Sequence, residues 1–205
     1  SEFEQDTAVT EVGPGLWRGE IAPGWRIGTV SNGGYVLAIA GRVLSQALPH
    51  NEPFNAHIMY TAPTEIGPID CQVEVLREGG STTFASVTMR QNGQVKAHVS
   101  AAYSDLGKLK GESFTRVERP QITPWEEVDP IKEHGIELRQ RVAQRYASGG
   151  EVFKRGEPDS SGVFNGWLNF VDGTDPDPLS LLLFADAMAP PVFTVYGVLQ
   201  WVPTV

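Results

Sequence analysis

Cysteine is almost absent: Cys71 is the only one in 205 residues. That excludes an intramolecular disulfide framework and a thiolate zinc cluster. Cys71 sits in an alternating strand pattern with nothing nearby to favour a thiolate, so no nucleophile is expected of it. Positive charge is also scarce. Sixteen Lys and Arg face 25 Asp and Glu, for a net charge of −9, and without a basic block the electrostatic footprint of a nucleic-acid binder is missing. No apolar run approaches the roughly 20 residues that span a bilayer, and the amino terminus lacks a basic-then-apolar signal pattern. The sequence thus predicts a cytoplasmic protein with no nucleic-acid or membrane partner. Ser1-Glu2-Phe3 reads as an appended start, which puts the first folded unit at residue 4. A Gly-x-Ser-x-Gly elbow, a His-x-x-x-His or acidic metal pattern and the Lys-Ser/Thr of a phosphate loop are all lacking, so no metal or cofactor is expected.

What is present reads as an ordinary globular chain, 40% hydrophobic and 20% charged. "SNGGYVLAIAGRVLSQALP" (31–49) opens with the cap-type residues Ser31 and Asn32, runs apolar for about four turns and stops at Pro49. Only Arg42, Ser45 and Gln46 interrupt the apolar surface, which is the pattern of a buried helix. Strands follow. In 82–90, Thr83, Ala85, Val87 and Met89 share one face. In 94–103, Val95, Ala97, Val99, Ala101 and Tyr103 alternate with polar residues. Asn92-Gly93 between them is a strong hairpin signal. With strands at 71–77 and 55–63, these residues predict an antiparallel meander wrapped around a helix, in an α+β unit covering 4–105.

Residues 106–160 are polar and rich in Pro and Gly, and read as a linker. Within it, "PIKEHGIELRQRVAQRYASGG" is expected to form a surface helix ended by Gly149-Gly150. The pattern then restarts over 161–205: a strand in "GVFNGWLNFVDG", an Asp177-Pro178 helix start, an apolar helix over 179–189 stopped by Pro190-Pro191, and a new strand in "TVYGVLQWVPTV".

The ordered set "WRIGTVSNGGYVLAIAGR", "QNGQ", "FNGWLNFVDG", "LLLFADAMAPPVF" and "WVPTV" resembles the double-hotdog acyl-CoA thioesterases of the type II kind. The resemblance implies two hotdog units, each a long helix cradled by a curved antiparallel sheet, and a hydrolase acting on acyl-CoA in fatty acid metabolism. In that family an Asp on the second hotdog helix, a Thr on the next strand and a Gln on a late strand hold a water against the thioester. Asp186 matches the Asp by its helix and its distance to the proline pair, and Thr204 matches the Thr by its "PTV" context. The Gln has no counterpart, because the chain stops one residue after Thr204. The second hotdog therefore reads as incomplete, and a completing segment or strands from another chain, as in a homo-oligomer, are expected. His57, six residues before Pro63, stands where several relatives also have His.

Asp186 carries the chemistry. A carboxylate in an apolar stretch is disfavoured as an anion, which raises its pKa, and a partly desolvated carboxylate is a competent general base for water. Thr204 would orient that water. Asn32, Gly33 and Gly34 open the first helix, where exposed N–H groups can bind a developing oxyanion if the two units face each other. His57 joins this substrate-binding group. Gln91, before the hairpin turn, reads as structural. Two other readings are a hotdog hydratase or dehydratase, which would need an acid partner for His57, and a non-catalytic acyl-binding scaffold.

Overall fold

The computed structural model describes residues 1–131 and 135–198. The first half begins with the short helix α1 (Glu2–Asp6), the hairpin β1 (Val9–Gly13) and β2 (Leu16–Ile21), and the short pair β3 (Arg26–Ile27) and β4 (Val30–Ser31). Then come the long helix α2 (Gly33–Ala47) and the strands β5 (Glu52–Tyr60), β6 (Gly67–Glu78), β7 (Thr82–Gln91) and β8 (Gln94–Ser104). Six strands form one antiparallel sheet in the order β1-β2-β6-β7-β8-β5. The expected meander is thus β6-β7-β8, while β5 crosses over to pair with β8 and becomes an edge.

The local chemistry explains these elements. Asn32 caps α2 by accepting the Tyr35 N–H at 3.0 Å. Asn92 and Gly93 both adopt positive φ, 51° and 78°, as a tight two-residue hairpin requires. Thr83, Ala85, Val87 and Met89 of β7 are all fully buried, so the alternation read from the sequence marks the core face. The helix α2 lies on that face and touches every strand of the sheet. Tyr35, Ala38, Ile39, Ala40, Val43 and Leu44 are completely buried.

The second half differs from expectation in three places. Where a surface helix was expected, Val142–Ser148 forms the strand β9, pairing antiparallel with β10 (Asn165–Phe170). "ELRQRVAQRY" is rich in good helix formers, but their preference is weak and pairing with β10 overrides it. Among the described residues of that segment, a single 3-10 turn, Glu137–Gln140, is helical before the strand, and Glu151–Arg155 forms the short helix α3 after it. The helix expected over 179–189 ends early: α4 spans Pro178–Phe184, started by an Asp177 capping box with proline in the first turn. Residues 185–187 continue as a turn. The start of the expected last strand is instead the one-turn helix α5 (Phe193–Tyr196).

Ser1-Glu2-Phe3 also proves integral. Phe3 is buried between Trp25, at 5.8 Å between ring centroids, and Phe170, at 5.2 Å. It bridges the two halves, as does the two-pronged ion pair of Arg26 with Glu137 at 2.7 and 2.6 Å.

The helix α4 covers the side of α2 that faces away from the sheet, and glycines allow the approach. A Cβ at Gly34 would meet the Leu183 carbonyl oxygen at 2.5 Å and that of Leu182 at 2.9 Å. One at Gly41 would meet Leu182 Cδ1 at 2.5 Å. The first obstacle is backbone, and the second is the end of a flexible side chain. Gly34→Ala should therefore destabilise by about 1–3 kcal/mol, the range for overpacking, although alanine is intrinsically the better helix former. Gly41→Ala should cost clearly less. Denaturant unfolding of both variants checks this, and equal losses would count against the backbone contact as the limiting one.

Candidate active site

The site lies where the start of α2 meets the turn after α4. Leu179 and Leu183 of α4 are buried in the common core, which carries the chain inward until Ala187 is also buried. Asp186 falls in the turn between them, half-buried, with its N–H bonded to the Leu183 carbonyl at 3.2 Å. Its carboxylate points at the opening of α2. Oδ2 accepts hydrogen bonds from the Gly34 N–H at 3.1 Å and from Asn32 Nδ2 at 3.0 Å.

Asn32 has two tasks at once. Its Oδ1 caps α2, and its Nδ2 also donates to the Asp186 main-chain carbonyl at 2.8 Å. Burial raises the Asp186 pKa above the usual aspartate value, while the N–H groups of Gly34 and Gly33 pull it back down without cancelling the rise. The result is a carboxylate held at a helix N-terminus, where the dipole favours an anion, yet more basic than an exposed one.

A second set of contacts fixes the turn from the other side. Gln144 on β9 is buried and donates through Nε2 to the Ala187 carbonyl. Its Oε1 accepts from Arg139 Nε at 2.9 Å and from the Tyr146 hydroxyl at 3.2 Å, and that hydroxyl accepts the Ala189 N–H at 2.9 Å. Sequence reasoning missed Gln144 and Tyr146 because they were placed on a helix. Read as a strand, their spacing with Val142 puts all three on one face.

Tyr60 was missed as well. Ala56 and Ile58 pack against the core, so Tyr60, two residues on, shares their face of β5. Its hydroxyl crowds the same point as Asp186: a Cβ at Gly33 would lie 2.5 Å from Tyr60 Oη and 2.9 Å from Asp186 Oδ2. Desolvation, and secondarily the Asp186 charge, raise the pKa of this phenol.

The residues expected at the site divide accordingly. Asn32, Gly33, Gly34 and Asp186 come together. His57 has the opposite parity to Tyr60 on β5, is exposed, and is not brought to the cluster. Thr204 lies outside the described residues. Gln91 anchors the loop after β5, accepting the Glu65 N–H at 2.9 Å and donating to the carbonyls of Glu65 and Pro68 at 2.8 and 3.2 Å. Burial pushes the Cys71 thiol up to about 12, so it stays protonated at neutral pH. Among the described residues no cluster of His, Cys, Asp and Glu has the make-up of a metal site, and no helix is long and apolar enough to cross a membrane.

Comparison with known proteins identifies the family. The sequence profile of the acyl-CoA thioesterase N-terminal domain matches residues 21–104, and that of the acyl-CoA thioesterase C-terminal domain matches residues 116–205. No curated protein sequence matches significantly. Among solved structures, a Thermobifida fusca YX protein described as a candidate thioesterase II is similar with a TM-score of 0.86 at 24% identity, covering 100% of this chain and 78% of its own. A hot dog protein of unknown function from Alicyclobacillus acidocaldarius gives 0.84 at 18% identity, over 95% and 72% of the two chains. An acyl-CoA thioesterase II of Mycobacterium marinum gives 0.66 at 16% identity, over 90% and 68%. At these identities the structures speak for the fold, and the two adjoining domain matches speak for the family. Matched by the N-terminal and the C-terminal domain profiles in succession, and with a hot dog fold, the protein belongs to the acyl-CoA thioesterase family and is a thioester hydrolase.

Proposed function

We infer that the protein hydrolyses acyl-CoA thioesters by direct attack of a water that Asp186 activates. The observation that carries this reading is a carboxylate of raised pKa, anchored through one oxygen to the start of α2. The hydrogen bonds from Asn32 and Gly34 both end on Oδ2, and no hydrogen bond among the described residues engages Oδ1, which can accept a water. A base is most useful when positioned and more basic than its exposed counterpart.

The step balances as follows. The water oxygen bonds to the thioester carbonyl carbon while its proton passes to Asp186, and the carbonyl π pair moves onto oxygen. Collapse of this oxyanion re-forms the C=O bond and breaks the C–S bond. The thiolate leaves with the sulfur electron pair and takes the proton back from Asp186, giving a carboxylic acid and free thiol. Thr204 would orient the water from the carboxy-terminal side. Catalysis in the cytoplasm, as part of fatty acid metabolism and within a homo-oligomer, completes this reading.

Asp186→Asn preserves an acceptor for Asn32 and Gly34 but cannot take a proton. Its kcat should fall on the order of 10²–10⁴-fold, the usual value of a general base, as measured with a panel of short-, medium- and long-chain acyl-CoAs and a thiol reagent. Unchanged turnover would remove Asp186 from the mechanism. In the parent, activity should rise with pH as Asp186 ionises, with the acid limb of kcat/KM above the ordinary aspartate value because burial raises this pKa.

The same shift has a stability consequence of opposite sign. A carboxyl whose pKa is higher folded than unfolded stabilises the fold fully only below its unfolded pKa, and this contribution is lost as pH rises through the folded value. Asparagine mimics the protonated form. Asp186→Asn should therefore melt above the parent at neutral pH, with the gap closing as pH falls into the ordinary aspartate range. Thermal melts across pH check this, and a variant less stable than the parent at neutral pH would contradict it.

A further inference from the structure

The start of α2 was expected to supply the oxyanion donors, but its N–H groups face an anion already. The Gly34 N–H donates to Asp186 Oδ2, and the Gly33 N–H stabilises the same carboxylate. While Asp186 is ionised, which is the form that accepts the water's proton, those donors are committed. The carbonyl oxygen of the substrate needs another donor, and it must lie beside Asp186 without being tied to the protein.

Tyr60 meets these conditions. Its hydroxyl and Asp186 Oδ2 converge on one point beside Gly33. None of the hydrogen bonds among the described residues uses this hydroxyl, in contrast to the buried hydroxyls of Tyr35 and Tyr103, which donate to main-chain carbonyls at 2.7 and 2.9 Å. The residue is 41% exposed, at the end of an edge strand, so a ligand can reach it. We propose that the Tyr60 hydroxyl is the catalytic donor that binds the thioester carbonyl oxygen and stabilises the oxyanion formed when water adds.

This rests on the thioester-hydrolysis reading above. As the water's oxygen bonds to carbon, the negative charge gathering on the carbonyl oxygen is met by the phenol O–H, whose proton stays on Tyr60. The tyrosine's raised pKa keeps it a neutral donor over the working pH range. The arrangement assigns different groups to opposite charges. The helix start holds the base, and the strand end holds the developing oxyanion.

Tyr60→Phe keeps the ring and removes only the donor. Loss of one oxyanion donor is expected to lower kcat on the order of 10²–10³-fold, with KM for the best acyl-CoA of the panel changed far less. A second measurement needs no turnover: binding of an S-(2-oxoalkyl)-CoA, whose ketone stands in for the thioester carbonyl, against an S-alkyl-CoA without a carbonyl. Y60F should weaken the ketone analogue by up to about tenfold, the worth of one neutral hydrogen bond, and leave the thioether analogue unchanged. Unchanged kcat, or equal weakening of both analogues, overturns the proposal. The two readings fail separately. A fully active Asp186→Asn variant would remove the base, yet the ketone-selective loss in Y60F would still mark Tyr60 as the carbonyl's donor.

Discussion

Everything around the site depends on one contact, the Asp186 carboxylate against the first turn of α2. A helix start leaves N–H groups without partners, and a buried start cannot leave them to water. Asn32 satisfies the Tyr35 N–H from within the helix, and Asp186 satisfies the Gly34 N–H from the other half of the chain. The cap of the first hotdog helix is therefore shared between the two units. Hydrogen bonds to a charged group are worth about 1.5–3 kcal/mol each, of the same order as the cost of moving a carboxylate partly out of water. The residual imbalance is what the raised pKa records.

That contact also constrains its neighbours. Asp186 can reach Gly34 only if the chain of α4 passes close to α2, which the bare Cα of Gly34 permits by admitting the Leu183 carbonyl. Gly33 must likewise be small, because Tyr60 and Asp186 fill the space a side chain would take. The Asn32-Gly33-Gly34 sequence thus follows from packing and electrostatics together. Its glycines provide close approach, and its asparagine ties the acid's main chain and side chain to the same helix start.

Much of this was legible in the sequence, and the rest was hidden for definite reasons. The buried α2, its cap at Asn32, the Asn92-Gly93 hairpin and the β10 segment follow from local pattern alone. Asp186 was visible as the lone charge in "LLLFADAMAPP". Tyr60 was open to the same parity argument that identified the core face of β7, and that argument turns His57, three residues earlier in "NAHIMY", outward. The strand β9 was not legible, because the sequence "RQRVAQRY" favours helix locally and the partner that decides the matter lies more than fifteen residues away on β10. Local propensity cannot report a non-local pairing. Losing β9 meant losing Gln144 and Tyr146.

Those two residues explain how so short an element can hold the Asp186 carboxylate in place. The seven residues of α4 are too few to be stable as an isolated helix, and Asp186 lies beyond its last turn. Position comes instead from three directions. Asn32 holds the Asp186 carbonyl, Gln144 holds that of Ala187, and Tyr146 holds the Ala189 N–H. With the main chain fixed on both sides of the acid, its carboxylate is preorganised, which is the condition under which the proposed base would need no reorganisation as charge moves. The buried polar groups of β9 never need to touch a substrate to contribute. They fix the geometry that the shared helix cap alone, bound at a single carboxylate oxygen, would leave free to pivot.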